Sequence, residues 1–297
     1  MMKNKVIFSD VALVIVSLLW GLGYPMTNWA TQGFDPFYET GIRFGLPGII
    51  LGVLFIKKVI HMDFATFRSG VLVGVIIVIG NVLQFASMKQ VSAGKESFLI
   101  ATYILMTPFV ARLISKEALQ WKSILFCLLA VLGIGILCFD GSMMHLGLGE
   151  IEGLLGALCF AIEITLIGKC VKEVEPMGFV IIQMLSSSVI SFVIALFIEE
   201  APDFRNMQIQ PLIGIAYLSI LNGVVTRLLQ NYAQKYATSS HASVVLATEC
   251  LIAAVSSALL TDEVFTVRMI IGCAIIFAAT MLAVWDQIRT EQRRDNL

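Results

Sequence analysis

The chain has 297 residues, 58% of them hydrophobic and 14% charged, and a mean hydropathy of +0.89. That leaves too little charged surface for a water-soluble fold of this length, which excludes a sizeable soluble domain and indicates a polytopic membrane protein. The formal net charge of −1 favours neither nucleic acid nor another polyanionic partner.

In chain order, runs without regular charge lie at about 10–30, 36–57, 69–88, 94–115, 121–139, 151–168, 177–198, 211–234, 240–261 and 267–286. A helix needs roughly 20 residues to cross a hydrocarbon core of about 30 Å, twice the length of a barrel strand, so the runs predict an all-α protein of ten transmembrane helices. The first run follows Lys3 and Lys5 without a small-residue cleavage site and reads as a first span, not a removable signal. Cys127, Cys138, Cys159, Cys170, Cys250 and Cys273 are scattered through apolar segments with no C-x-x-C pair, and read as small core residues. His61, His145 and His241 are far apart, and neither H-E-x-x-H nor a G-x-x-x-x-G-K-[ST] loop occurs, which speaks against an intramembrane enzyme or an ATP-driven pump. No metal or cofactor is expected.

Short connectors rich in Lys and Arg stay cytoplasmic. One side collects Lys3, Lys5, Lys57, Lys58, Arg68, Arg112, Lys116, Lys122, Lys169, Lys172, Lys235, Arg289, Arg293 and Arg294. The other has only Lys89, Arg205 and Arg268, and gathers Asp35, Asp140, Glu150, Glu152, Glu199, Glu200 and Asp203. Both termini are therefore expected in the cytoplasm.

Sliding the chain on itself by 146 residues superposes 84–127 on 230–273 without a gap and with ten identities, among them Gln84 with Gln230, Lys89 with Lys235, Ala101-Thr102 with Ala247-Thr248, and Glu117 with Glu263. An offset near 140 places Asp35-Pro36 on Glu175-Pro176. The halves are then 1–143 and 144–297. Five spans is an odd number, so the second half enters the membrane inverted, the arrangement in which two repeats rock about a central site.

The stretches Leu18-Leu19-Trp20-Gly21, Arg43-Phe44 and Val91-Ser92-Ala93-Gly94-Lys95 are followed by Pro108, Glu117, Ala247-Thr248-Glu249 and Thr261-Asp262-Glu263. In order and spacing, over nearly the whole chain, they resemble the ten-helix EamA-type permeases of the drug/metabolite transporter superfamily. The resemblance implies a multi-pass protein of the cell inner (cytoplasmic) membrane that exports metabolites, often amino acids, through a central cavity between the halves. The chain departs from the family pattern in carrying Ile252, Ala253 and Ala254 where a proline shortly after Glu249 is usual.

Ionisable residues inside a span are costly, at least about 2.5 kcal/mol near its centre, and face a cavity or a partner. Arg227 and Glu249, near the middle of their runs, are the leading candidates, either as cavity groups or as a mutual pair. Glu163, Arg43, Lys95 and Glu96 follow, with Tyr103 on the same helical face as Glu96. Trp20, Tyr24, Asn81, Gln84, Asn222, Gln230 and Asn231 are hydrogen-bonding candidates that serve equally well as interhelical glue. Gly41/Gly45, Gly48/Gly52 and Gly70/Gly74 permit close helix approach, and Pro25 and Pro108 mark places where a span could bend. Buried charges of both signs suit a zwitterion and predict alternating-access transport of amino acids or similar metabolites. Proton coupling through Glu249 or Glu163 is the attached hypothesis. A lipid flippase or a channel is the rival reading. The expected partners are a small-molecule solute and the lipid bilayer, with a homodimer left open.

Overall fold

The computed structural model describes residues 2–91, 93–138, 147–260 and 267–295, and among them it is helical with no strand. Ser92, Asp140, His145 and the Thr261-Asp262-Glu263 motif lie outside the described residues, as do the side chains of Lys3, Lys5 and Lys95. The first set of helices is α1 (Met2–Ala30), α2 (Pro36–Leu54), α3 (Ile56–Ile60), α4 (Phe64–Met88), α5 (Ala93–Ala101), α6 (Tyr103–Ile114) and α7 (Trp121–Cys138). The second is α8 (Leu148–Cys170), α9 (Pro176–Ile198), α10 (Ile209–Tyr217), α11 (Thr226–Gln234), α12 (Ser239–Leu246), α13 (Glu249–Leu260) and α14 (Val267–Asp295), with a π-helical segment, Leu218–Val225, joining α10 to α11. Among the described residues, six stretches are long and apolar enough to cross a bilayer: Ile7–Ala30, Phe64–Met88, Leu148–Cys170, Pro176–Ile198, Ile209–Gln234 and Ser239–Ser256.

Helix starts are set by local chemistry. Proline at the first position, where no N–H is needed, opens both α2 and α9. Glu175 caps α9 by accepting from the Gly178 N–H at 2.6 Å. The equivalent Asp35 instead binds Lys89 Nζ at 2.5 Å, and the start of α2 is capped from outside. Glu199, just past the end of α9, accepts from the Phe37 and Tyr38 N–H groups at 2.8 Å each. Burial pushes the Glu199 carboxyl above its ordinary range, and those two N–H groups oppose the shift. Glu117, picked out by the repeat, accepts from the Ser239 hydroxyl at 2.9 Å and its N–H at 3.3 Å, closing the start of α12.

The fourth and ninth runs are each broken, and in the same way. Thr102 N–H reaches Leu99 O at 3.2 Å and Leu105 N–H reaches Thr102 O at 3.0 Å; Thr248 to Val245 and Leu251 to Thr248 repeat this at 3.2 and 3.0 Å. The two threonine hydroxyls also donate to Leu99 O and Val245 O, at 2.6 and 2.7 Å. A threonine that bonds back to its own turn tightens the backbone and shifts the axis. Pro25 and Pro108, where bending was expected, stay inside α1 and α6. The second-half break at Thr248 is formed without a proline.

Packing is symmetric between the two sets. Helix α2 lies along α9, and α7 along α14. The contact of α1 with α10, the π segment and α11 mirrors that of α8 with α4. Likewise, α1 against α12 and α13 mirrors α8 against α5 and α6, and α2 on the π segment mirrors α9 on α4. The small-residue motifs serve this packing. A Cβ at Gly45 would stand 2.5 Å from Ser188 Oγ, and the Ser188 hydroxyl donates to Gly41 O at 2.8 Å. Ser187 makes the corresponding bond to Gly74 O at 3.0 Å. Such interhelical bonds replace the hydrophobic drive that is missing between helices in lipid.

Candidate functional site

Where the two sets meet, a cavity is bordered by Trp20, Tyr24, Arg43, Asn81, Gln84, Tyr103, Glu163, Asn222, Arg227 and Glu249, ten of the fourteen residues singled out from sequence. Gly23, Thr27, Ile100, Phe160 and Ile164 complete the wall.

The repeat registers explain this convergence. Trp20, Gly23 and Tyr24 on α1 fall on Phe160, Glu163 and Ile164 on α8; Asn81 falls on Arg227, and Tyr103 on Glu249. All ten border the cavity, which therefore straddles the relation between the sets. In each of these pairs the charge, where there is one, belongs to the second set. Equivalent places have thus diverged from glycine, amide and phenol to carboxylate, guanidinium and carboxylate.

The charges are arranged as two closed pairs and a remainder. Arg227 Nη1 donates to Glu163 Oε1, with the two side chains only 4% and 2% exposed, and it is 3.4 Å from Gln230 Oε1. The Arg227 guanidinium also lies over the rings of Phe44 and Trp20, at 5.3 and 5.9 Å. Trp20 is itself fixed by its indole N–H bond to Thr226 Oγ1 at 3.1 Å. Arg43 is 3.6 Å from Glu39, one turn earlier on α2. Glu249, 4% exposed, has no cation within ion-pair distance among the described residues. It stands beside the Tyr103 hydroxyl, outside hydrogen-bond geometry, and within electrostatic reach of Tyr24. Arg227 and Glu249 thus share the cavity without forming the mutual pair that was one expectation.

Four sequence candidates lie elsewhere. Asn231 is buried, donating from Nδ2 to Arg227 O at 2.8 Å and accepting at Oδ1 from Gln183 Nε2 at 3.3 Å. Glu96 is buried off the cavity and accepts from the Ser87 hydroxyl, whose oxygen also reaches Gly149 O at 2.7 Å, so it ties α4, α5 and α8 together. Gln230 is fully buried behind Arg227 and does not border the cavity. Lys95 sits on α5, but its side chain lies outside the described residues. Sequence reasoning missed Glu39, although its spacing of four residues from Arg43 in an apolar run was the available signal. It also missed Phe160 and Ile164, which the 140-residue offset from Trp20 and Tyr24 would have found, and the buried Asp10 carboxylate, 2.8 Å from His241 Nε2 across α1 and α12.

Apolar helices, broken spans and a polar central cavity are features that a membrane transporter requires. Comparison with known proteins agrees. The EamA-like transporter family model matches residues 7–139 and again 147–285, and the chain belongs to that family. It is 25% identical over 278 residues to an uncharacterized transporter of Archaeoglobus fulgidus, covering 94% of this chain and 86% of that one. It is 22% identical over 245 residues to the uncharacterized transporter YyaM of Bacillus subtilis, covering 78% and 79%. A protein of known crystal structure superposes with a TM-score of 0.74 at 15% identity, over 95% of this chain and 98% of the other, which is a likeness of fold.

Proposed function

We propose that the protein is a secondary exporter of small metabolites, working by alternating access in the cytoplasmic membrane. In this reading ten spans form two inverted five-helix repeats, 1–143 and 144–297, with both termini in the cytoplasm. The observation that carries it is the central cavity, walled by equivalent positions of both helix sets and holding buried charges of both signs. The matched breaks at Thr102 and Thr248 immediately precede the cavity residues Tyr103 and Glu249 and interrupt the helices where rocking repeats must bend. Glu249 is the group through which a proton would couple, because an isolated carboxylate in low dielectric requires either a proton or a cation.

Counterflow in proteoliposomes tests the reading. A carrier gives saturable uptake that an internal pool of unlabelled solute accelerates. Flux linear in concentration would instead indicate a channel, and movement of labelled lipid without solute flux would indicate a flippase.

A further inference from the structure

Building on the reading of a central solute cavity, we infer that Glu249 is an ammonium subsite, and that the preferred solute is a net-cationic amine and not a zwitterion.

Each guanidinium group at the cavity already faces a buried carboxylate, although the Nε donors of both have no acceptor. Arg43 has Glu39, and Arg227 has Glu163 together with two aromatic faces. A solute carboxylate would have to displace a buried glutamate from either one and leave it without a counter-charge, which is strongly unfavourable. Among the described residues bordering the cavity, Glu249 is the remaining carboxylate. A zwitterion leaves its charge unbalanced, whereas a monocation cancels it.

A second observation concerns hydrogen bonding. The Tyr24 and Tyr103 hydroxyls and Asn222 Oδ1 border the cavity, are buried, and have no hydrogen-bond partner. Buried polar atoms are nearly always satisfied, so these groups, like the orphaned Arg43 and Arg227 Nε donors, point to a missing hydrogen-bonding partner. A primary ammonium carries three N–H donors and no acceptor, which matches one carboxylate plus neutral oxygens. Phe160 and Trp20 provide apolar wall for the rest of the molecule.

The test uses the full-length protein in lipid nanodiscs and titration calorimetry with probes sharing one carbon skeleton: 2-phenylethylamine, phenylalanine and 3-phenylpropionate. A second series, butylamine, norvaline and pentanoate, guards against a skeleton that does not fit. The expected result is that the amine of at least one series binds at least about tenfold more tightly than its zwitterion, and the carboxylate does not bind. Glu249→Gln weakens the amine by about tenfold or more, and Tyr103→Phe, which leaves the charge in place, by about threefold. Zwitterion binding equal to or tighter than the amine in both series, no amine binding, or undiminished amine binding by Glu249→Gln each overturns the inference. If Glu249→Gln does not fold, the wild-type comparison and Tyr103→Phe still decide. Counterflow of zwitterions without amine binding would overturn the subsite and leave the carrier reading standing, whereas absence of carrier-like flux for either class would count against the carrier reading.

Discussion

Tyr103 and Glu249 occupy the same place in two copies of one design: each is the first residue after its helix break, and the 146-residue register superposes them at the cavity wall. The symmetric backbone thus presents a phenol from one side and a carboxylate from the other. A solute bound as proposed would be oriented by that difference.

The breaks that aim these two residues depend on the Thr102 and Thr248 hydroxyls, each bonded to a carbonyl three residues back. Thr248→Ala and Thr102→Ala each remove a bond of about 1 kcal/mol. Each is expected to lower the maximal transport rate about fivefold with little change in half-saturation, and the double variant to lower it further. Initial rates of uptake in proteoliposomes measure this.

Arg227 and Glu163 form a buried pair, and removing one member leaves the other uncompensated. Arg227→Gln or Glu163→Gln alone is expected to destabilise the fold by about 3 kcal/mol. The double substitution should recover more than half of that loss. Thermal melting of the four proteins reads the coupling directly, and additive losses would show that the pair contributes no mutual stabilisation.

Gly21 holds α1 against α13. A Cβ there would stand 2.4 Å from Ile252 Cβ and 2.6 Å from Glu249 O, and the carbonyl cannot move aside without disturbing the start of α13. Gly21→Ala is expected to cost about 1–3 kcal/mol. Gly135, inside α7, has open space at the same test, so Gly135→Ala serves as a control that leaves the melting temperature unchanged or raises it.

Asp63 caps α4, and its bonds from the Thr66 hydroxyl and N–H hold its carboxyl below the ordinary 3.8. For a depressed acid, the stabilisation is present above the ordinary value and is lost as pH falls through the native one. The melting difference between wild type and Asp63→Ala should therefore be constant at neutral pH and shrink below pH 3.8. The difference between Asp63→Asn and Asp63→Ala should not vary with pH.

Much of this was legible in the sequence, for a physical reason. In lipid, backbone must bond within its own segment, so apolar runs report helices directly, and the observed helices overlie all the runs. The cavity was legible because burying Arg43, Glu163, Arg227 and Glu249 is costly enough to mark a place where the chain makes room for them. Pairing was not legible, because which residues meet depends on helix rotation: Glu163 is 64 residues from Arg227, and nothing along the chain ranks it above Glu249 as partner. The helix breaks were also missed, since proline is the usual sign of bending, and here a threonine hydroxyl acts instead. The π segment has no counterpart in the continuous α4, and nothing in its composition announces it.

The exchange of first helices has a consequence for how the protein is made. Helix α1 packs against α10, α11, α12 and α13, and its Ser17 hydroxyl meets Thr248, 231 residues downstream. While the ribosome is still producing the first five runs, α1 sits in the bilayer as an arm without its socket, and α8 later fills the groove that the earlier helices have kept open. Membrane insertion and assembly are thus separate events in time. A chain interrupted in its second part would leave α1 exposed to whatever neighbours the lipid supplies, as in a swapped dimer lacking its mate.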